Sequence, residues 1–276
     1  HLFNPGDEIV ISALEHHANL LPWQQLAHRR ELNLVVLPLD VDGLIDLDAA
    51  ASLIGPQTLL LAVSQLSNVL GAWQPLPALL AMAKAHSALT VVDGAQGVVH
   101  GRHDVQVLGC DFYVFSSHKL YGPDGLGVLF GRNEALQQLQ PWQFGGEMVL
   151  DASYHDARFR PAPLGFEAGT PPIASVIGLG ASLDYLAGLD QDAVSAHEAA
   201  LHDYLLKGLE ARNGIHLLGK PQVALASFTV QGVHNSGLAH LLTEQGIAVR
   251  AGHHCAMPLL KSLQLAGAIR VSLGLY

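Results

Sequence analysis

The sequence predicts an α/β protein: a mostly parallel sheet flanked by helices, followed by a smaller α+β unit. Three observations predict it. Short apolar, β-rich runs alternate with helical segments over residues 8–92. Half of the 276 residues (50%) are hydrophobic and only 14% are charged, which suits a core buried on both sides of a sheet. The polar residues of greatest chemical interest, Asp93 and Ser116 to Lys119, stand at the carboxyl ends of apolar runs, where open α/β sheets receive ligands.

In chain order, the turn Asn4-Pro5-Gly6-Asp7 leads into a strand at 8–13, EIVISA. Pro22 reads as the opening of a helix that runs to about Leu32, since proline suits a first helical turn. Strands are expected at 34–38, 58–63 and 89–92, with helices at 47–54, capped by Asp46, and 76–87. This alternation argues for parallel pairing with right-handed crossovers. The runs 112–115 and 126–130 follow one another with no helix between, so one of them is expected to be antiparallel or distant in the sheet. A helix at 132–139 precedes an irregular stretch, Pro141 to Pro172, rich in Gly and Pro. That stretch is too long for a passive connection and is expected to be functional or to wrap a partner subunit. Helices at 173–187 and 191–212 come next. The remainder alternates strands (215–218, 224–230, 247–250, 269–275) with helices (236–245, 258–264). The break at Gly188-Leu189-Asp190 divides a large domain, 1–188, from a small one, 189–276.

Net charge is −10 with the basic residues scattered, so the sequence carries no electrostatic footprint for nucleic acid or an anionic membrane. Two cysteines, Cys110 and Cys255, form no disulfide framework and fit a reducing cytoplasm. No 18-residue apolar run is present in the sequence, and no signal peptide is expected from it. The chain enters a strand soon after His1 and reaches Tyr276 within another, so it is expected to be a piece of a longer protein.

Lys119 lies in DFYVFSSHKLYGPDGLG, just past a buried strand and among small residues. Desolvation disfavours an ammonium there and helps free an amine for Schiff-base chemistry. Asp93, in LTVVDGAQG, ends another buried strand. A lysine for an aldehyde and an acid for a pyridinium nitrogen are what pyridoxal phosphate requires. Taken singly, each is an ordinary turn residue. Gln96 is placed to donate to a phenolate oxygen on such a ring, and Ser116 and His118 flank the lysine as phosphate donors or as turn residues. His16, in Glu15-His16-His17-Ala18-Asn19, is either a stacking, acid–base histidine or half of a surface pair. Asn68 follows the third strand as a neutral carboxylate donor or a turn residue.

In Arg250-Ala251-Gly252-His253-His254-Cys255-Ala256-Met257-Pro258, an arginine and two histidines stand near one thiol, and positive charge favours thiolate. A buried, inert cysteine and a metal site are the competing readings, the second weak without a further ligand cluster. Cys110, ahead of an apolar strand, reads as structural. Arg270, on the last strand, is a candidate carboxylate clamp through its bidentate fork.

EHHAN, SNVLG, VDGAQG, FYVFSSHKLYGPDGLG, EAGTP and RAGHHCAMPL, in this order and across nearly the whole chain, resemble the group II cysteine desulfurases, the selenocysteine-lyase-like branch of the class V aminotransferases. The resemblance implies a fold-type I pyridoxal 5'-phosphate transferase working as a homodimer. It carries over Lys119 as the Schiff-base lysine, Asp93 as partner of the ring nitrogen, Gln96 on the ring oxygen and His16 stacked on the ring. Ser116 and His118 would hold the phosphate, and Thr170 would reach the phosphate of the other subunit's cofactor. Asn68 and Arg270, with Arg250 nearby, would grip the substrate carboxylate, and Cys255 would accept sulfur. In that family a Thr-Thr helix start, upstream of the region matched here, also binds the phosphate. The implied reaction converts L-cysteine to L-alanine, leaves a persulfide on Cys255 for a small sulfur-acceptor protein, and supplies iron–sulfur cluster assembly; L-selenocysteine is a second implied substrate. The alternatives are another class V reaction, transamination or kynureninase-type cleavage, and an inactive fragment that only binds a partner.

Overall fold

The computed structural model describes residues 3–275. The expected continuations beyond His1 and Tyr276 lie outside them. Its large sheet has the order β2-β1-β3-β4-β5-β6, formed by β1 (Glu8–Ser12), β2 (Asn33–Leu37), β3 (Thr58–Ser64), β4 (Leu89–Asp93), β5 (Phe112–Ser116) and β6 (Gly127–Gly131). The first five pair in parallel and β6 pairs antiparallel with β5, one of the two arrangements that the missing helix between the runs allows. Helices α1 (His17–Arg30), α2 (Leu47–Leu53), α3 (Leu76–Ala85) and the single turn α4 (Val105–Leu108) link the parallel strands.

Alternation along these strands builds a core on each face of the sheet. Val10, Leu61, Val63 and Val92 fall in one buried cluster, and Ile9, Ile11, Leu60, Ala62 and Val91 in the other. A strand buried on both faces reads as a continuous apolar run, which is why these segments were legible from composition alone.

Beyond β6 come α5 (Asn133–Leu136), the hairpin β7 (Val149–Ala152) and β8 (Ala157–Phe159), α6 (Ile173–Ala187) and α7 (Gln191–Glu210). A second, antiparallel sheet has the order β11-β12-β10-β9, from β9 (Ile215–Leu217), β10 (Leu225–Val230), β11 (Arg250–Gly252) and β12 (Ala268–Ser272), with α8 (Asn235–Glu244) and α9 (Met257–Ser262). Leu259 and Leu260 of α9, with Ala256 and Ala268, join the core of the large sheet, so this end of the second unit is anchored on the first.

Several boundaries differ from expectation. α1 begins at His17, not Pro22, because the His16 ring accepts from Ala18 N–H at 3.0 Å and caps the helix; Pro22 sits inside it on an exposed face. β11 covers 250–252 rather than 247–250, its register set by pairing Arg250 with Arg270. The stretch 141–172 is not wholly irregular, since β7 and β8 pair within it, and the helix expected over 132–139 is only the turn α5. Among the described residues no single helix is long and apolar enough to cross a membrane; α6 and α7 reach that length and composition only together, bent by 87°.

Candidate active site

The chain passes from β1 outward to β2, then returns to β3 on the other side of β1. Crossovers on either side of this switch diverge and leave a crevice at the carboxyl ends of the strands. His16 follows β1, Asn68 follows β3, Asp93 ends β4, and Ser116, His118 and Lys119 follow one another from the end of β5. All of them line one cavity of about 370 Å³, together with Gln96, Arg250 and Arg270. Ser64 and Asp93 are register partners, as are Asp93 and Val114, which fixes the strand ends against each other.

Local packing explains the VDGAQG sequence. A Cβ on Gly94 would stand 2.0 Å from the Tyr113 ring, and one on Gly97 would stand 1.9 Å from Gln65 Oε1. Tyr113 donates its hydroxyl to that same Oε1 at 2.5 Å. The chain therefore folds tightly past β5, and Asp93 is held by an Asx turn in which Oδ1 accepts from Ala95 N–H at 2.9 Å. Oδ2 remains for the cavity.

Lys119 is largely buried, and desolvation lowers its pKa; Asp93 opposes that shift, while Arg270 and Arg250 add to it. His16 is likewise pushed down by burial and by Lys119. Arg270 is desolvated and lies against the charge of Arg250, but a guanidinium stays protonated in such a setting. Its Nη1 donates to Asn68 O at 3.0 Å, while its buried Nε has no partner. Arg270 lines the cavity, and a guanidinium with an unpaired donor fits a carboxylate ligand there.

The loop around Cys255 departs from expectation in one respect. The two histidines beside the thiol were read as positive charge. His254 is buried, and desolvation together with Arg270 pushes its pKa down to about 4, so it is neutral at neutral pH. Its Nε2 bonds Ala268 O at 3.0 Å. Arg270 and Lys119 both lie close enough for charge on Cys255 to act on them. Cys255 is half-buried and does not itself line the cavity. Among the described residues no three His, Cys, Asp or Glu side chains gather as metal ligands. Cys110 is fully buried, with its thiol pushed up to about 11 by desolvation. Thr170 is exposed and is not among the residues that line the cavity.

Glu15 had no role in the sequence reading. It is buried next to His16 in the chain and accepts from Ser12 Oγ, Ser64 N (3.0 Å), Ser64 Oγ (2.5 Å) and Asn19 Nδ2 (2.7 Å). An acidic residue between a strand and a histidine pair was a signal, but only the fold shows that Ser64 comes to meet it.

A lysine amine, a strand-end carboxylate with a spare oxygen, a half-buried imidazole and an amide in one cavity fit pyridoxal phosphate, and they define a fold-type I pyridoxal-phosphate enzyme. The family model for aminotransferase class-V matches residues 1–276. A probable cysteine desulfurase of Pseudomonas putida is 76% identical over 276 residues, all of this chain and 69% of that protein. The crystal structure of the Escherichia coli cysteine desulfurase CsdA, in its S-sulfonic acid form, is 43% identical with a TM-score of 0.96, over 99% of this chain and 68% of that one. A more distant structure that holds glycine covalently linked to pyridoxal phosphate shares the fold, with a TM-score of 0.83 at 24% identity, over 99% of this chain and 71% of that one. The chain belongs to the class V aminotransferase family, among its pyridoxal-phosphate-dependent cysteine desulfurases.

Proposed function

We propose that this cavity converts L-cysteine to L-alanine with Lys119 as the cofactor-bearing lysine and Cys255 as the sulfur acceptor. The observation that carries the reading is the meeting of Lys119, Asp93 and Arg270 in one cavity, contributed by both sheets.

Pyridoxal phosphate, when bound, supplies an electron sink for the carbon that loses its α-proton. Asp93 would keep the ring nitrogen protonated by charge, Gln96 would donate to the ring oxygen, and His16 would stack on the ring. Ser116 and His118 are the phosphate donors on this chain. Lys119, with its ammonium disfavoured by burial, takes the α-proton on Nζ. Arg270 and Asn68 hold the substrate carboxylate, and Arg250 adds charge beside them. Asn68 Nδ2 also donates to His254 O at 2.8 Å, so it ties the Cys255 loop to the loop after β3 as well. The Cys255 sulfur attacks the substrate sulfur: an S–S bond forms, the C–S bond breaks, and the carbon keeps the electron pair and takes a proton. Alanine leaves, and Cys255 carries a persulfide.

We further propose that the large and small domains divide at 188, in the break between α6 and α7. A homodimer is supported by the exposed apolar residues Trp142, Phe144 and Tyr154 in the 141–172 stretch and Ile173 and Ile177 at the start of α6, which a monomer would leave in water. In this reading Thr170, exposed in the same stretch, would reach the phosphate of the partner's cofactor. The persulfide passes to a small acceptor protein for iron–sulfur cluster assembly, in the cytoplasm. Selenocysteine, whose selenium leaves more easily, is a second substrate.

The test is mass analysis of alkylated holoenzyme after exposure to L-cysteine. A persulfide on Cys255, absent from Cys255→Ser although cofactor binding is intact, is the expected result. A persulfide on Cys110, or one surviving in Cys255→Ser, overturns the assignment.

A further inference from the structure

We infer that His17, the second histidine of the pair after β1, is the positioning residue for the Cys255 loop. The inference rests on Cys255 being the sulfur acceptor.

Two hydrogen bonds carry it. The backbone N–H of His17 donates to the carbonyl of Cys255 at 2.7 Å. The ring of His17 accepts, through Nε2, from the backbone N–H of Met257 at 3.1 Å. One residue at the start of α1 thus grips the chain on both sides of Ala256. In this bond Nε2 is the acceptor, so it carries no proton of its own.

The loop needs such a grip. His254 and Cys255 both lie in the left-handed region, at φ 51° and 56°, and neither is glycine. Such a pair persists only where its surroundings over-determine it. Asn68 Nδ2 holds the carbonyl of His254 at 2.8 Å, and the His254 ring is fixed to Ala268 O. Those contacts stop one residue short of the thiol, and His17 fixes what lies beyond. Met257 is the first residue of α9, whose N–H has no intrahelical acceptor, so the His17 ring also satisfies a helix end. Since His16 precedes His17 directly, the residue facing the cofactor cavity and the residue holding the sulfur acceptor are set by the same turn of chain.

The contact is specific to an acceptor, not to ring volume, and two substitutions in the holoenzyme separate these. His17→Gln keeps an acceptor oxygen and loses the ring; His17→Phe keeps the ring and loses the acceptor. Three readouts are taken: cofactor absorption, the rate of persulfide formation on Cys255 from L-cysteine, and alkylation of Cys255 by iodoacetamide without substrate. His17→Phe is expected to bind cofactor normally, form persulfide roughly 10- to 100-fold more slowly, as for a misplaced reacting group, and alkylate faster because its loop is loosened. His17→Gln is expected to stay within a few-fold of the parent in all three. Equal behaviour of the two variants in persulfide formation and alkylation would overturn the inference, as would a parent-like His17→Phe. If the parent carries its persulfide elsewhere than Cys255, the functional reading fails instead, while the alkylation rates still report on the loop.

Discussion

Arg270 Nη1 donates to the backbone carbonyl of Asn68 at 3.0 Å, joining the last strand of the small sheet to the loop after β3 of the large one. The same guanidinium keeps a buried Nε without a partner. A buried donor left unsatisfied is costly, and a substrate carboxylate would satisfy it. Arg270→Lys keeps the charge but loses the planar fork. The expected outcome is a rise in KM for cysteine of about 10- to 100-fold, as for loss of a charge-assisted hydrogen bond, with a smaller change in kcat. Steady-state kinetics of the holoenzyme decide it, and an unchanged KM removes Arg270 from the substrate site.

Lys119→Ala should end covalent attachment of the cofactor. Borohydride reduction followed by mass analysis is expected to fix the cofactor on the parent chain and not on the variant. Turnover should fall by roughly 10²- to 10⁴-fold, the usual contribution of a positioned proton acceptor. A reduced adduct found on another lysine of the variant would show that the amine was misassigned.

Asp93→Asn removes the charge that keeps a ring nitrogen protonated while preserving the side-chain shape. The Asx turn to Ala95 N–H survives, because an amide oxygen accepts as well as a carboxylate oxygen does. Cofactor affinity and the rate of α-proton exchange should therefore both drop, each by about one to two orders of magnitude, as for loss of a charged hydrogen bond. Exchange of the substrate α-hydrogen with deuterated solvent reads the second quantity directly, and a parent-like rate would end the assignment.

Much of this site was legible in the sequence because the strands of the large sheet that lead to functional groups are short apolar runs with a polar residue at the carboxyl end, whereas Arg250 opens β11 and Arg270 sits within β12. Asp93 and Lys119 could be paired on that pattern alone, and the structure brings both to one cavity. The missing helix between β5 and β6 pointed to antiparallel pairing or to distance in the sheet, and the two strands pair antiparallel. What stayed hidden depends on contacts between distant parts of the chain. The neutrality of His254 comes from burial against β12, and the contact of His17 with Met257 spans most of the sequence. The start of α1 was misplaced because a histidine can cap a helix through its ring, a choice that local propensity does not favour over proline at the first turn.

Glu15 yields the last prediction. Its carboxylate is 2% exposed, and desolvation raises its pKa to about 7 despite bonds from Ser12, Ser64 and Asn19 that favour the charged form. The folded-state value exceeds the unfolded one, so the folded protein binds the proton more tightly. The stability contributed by that proton is whole below about pH 4.5 and is lost as pH rises through about 7. Over that window the loss is on the order of 3 kcal/mol. Glu15→Gln cannot titrate, so its stability should vary less across the same range. The variant is also less stable near pH 5, because an amide nitrogen in place of Oε2 would meet Asn19 Nδ2, whose own Oδ1 is already taken by Trp23 Nε1 at 2.9 Å. A donor facing a donor costs roughly 1–3 kcal/mol. Urea midpoints of parent and variant at about pH 5 and about pH 8 isolate the effect, since every other titrating group cancels in the difference. The gap between the two proteins should shrink or reverse at the higher pH. An equal gap at both values would mean that Glu15 is already ionised in the fold at the lower pH, and that its four hydrogen bonds outweigh its burial.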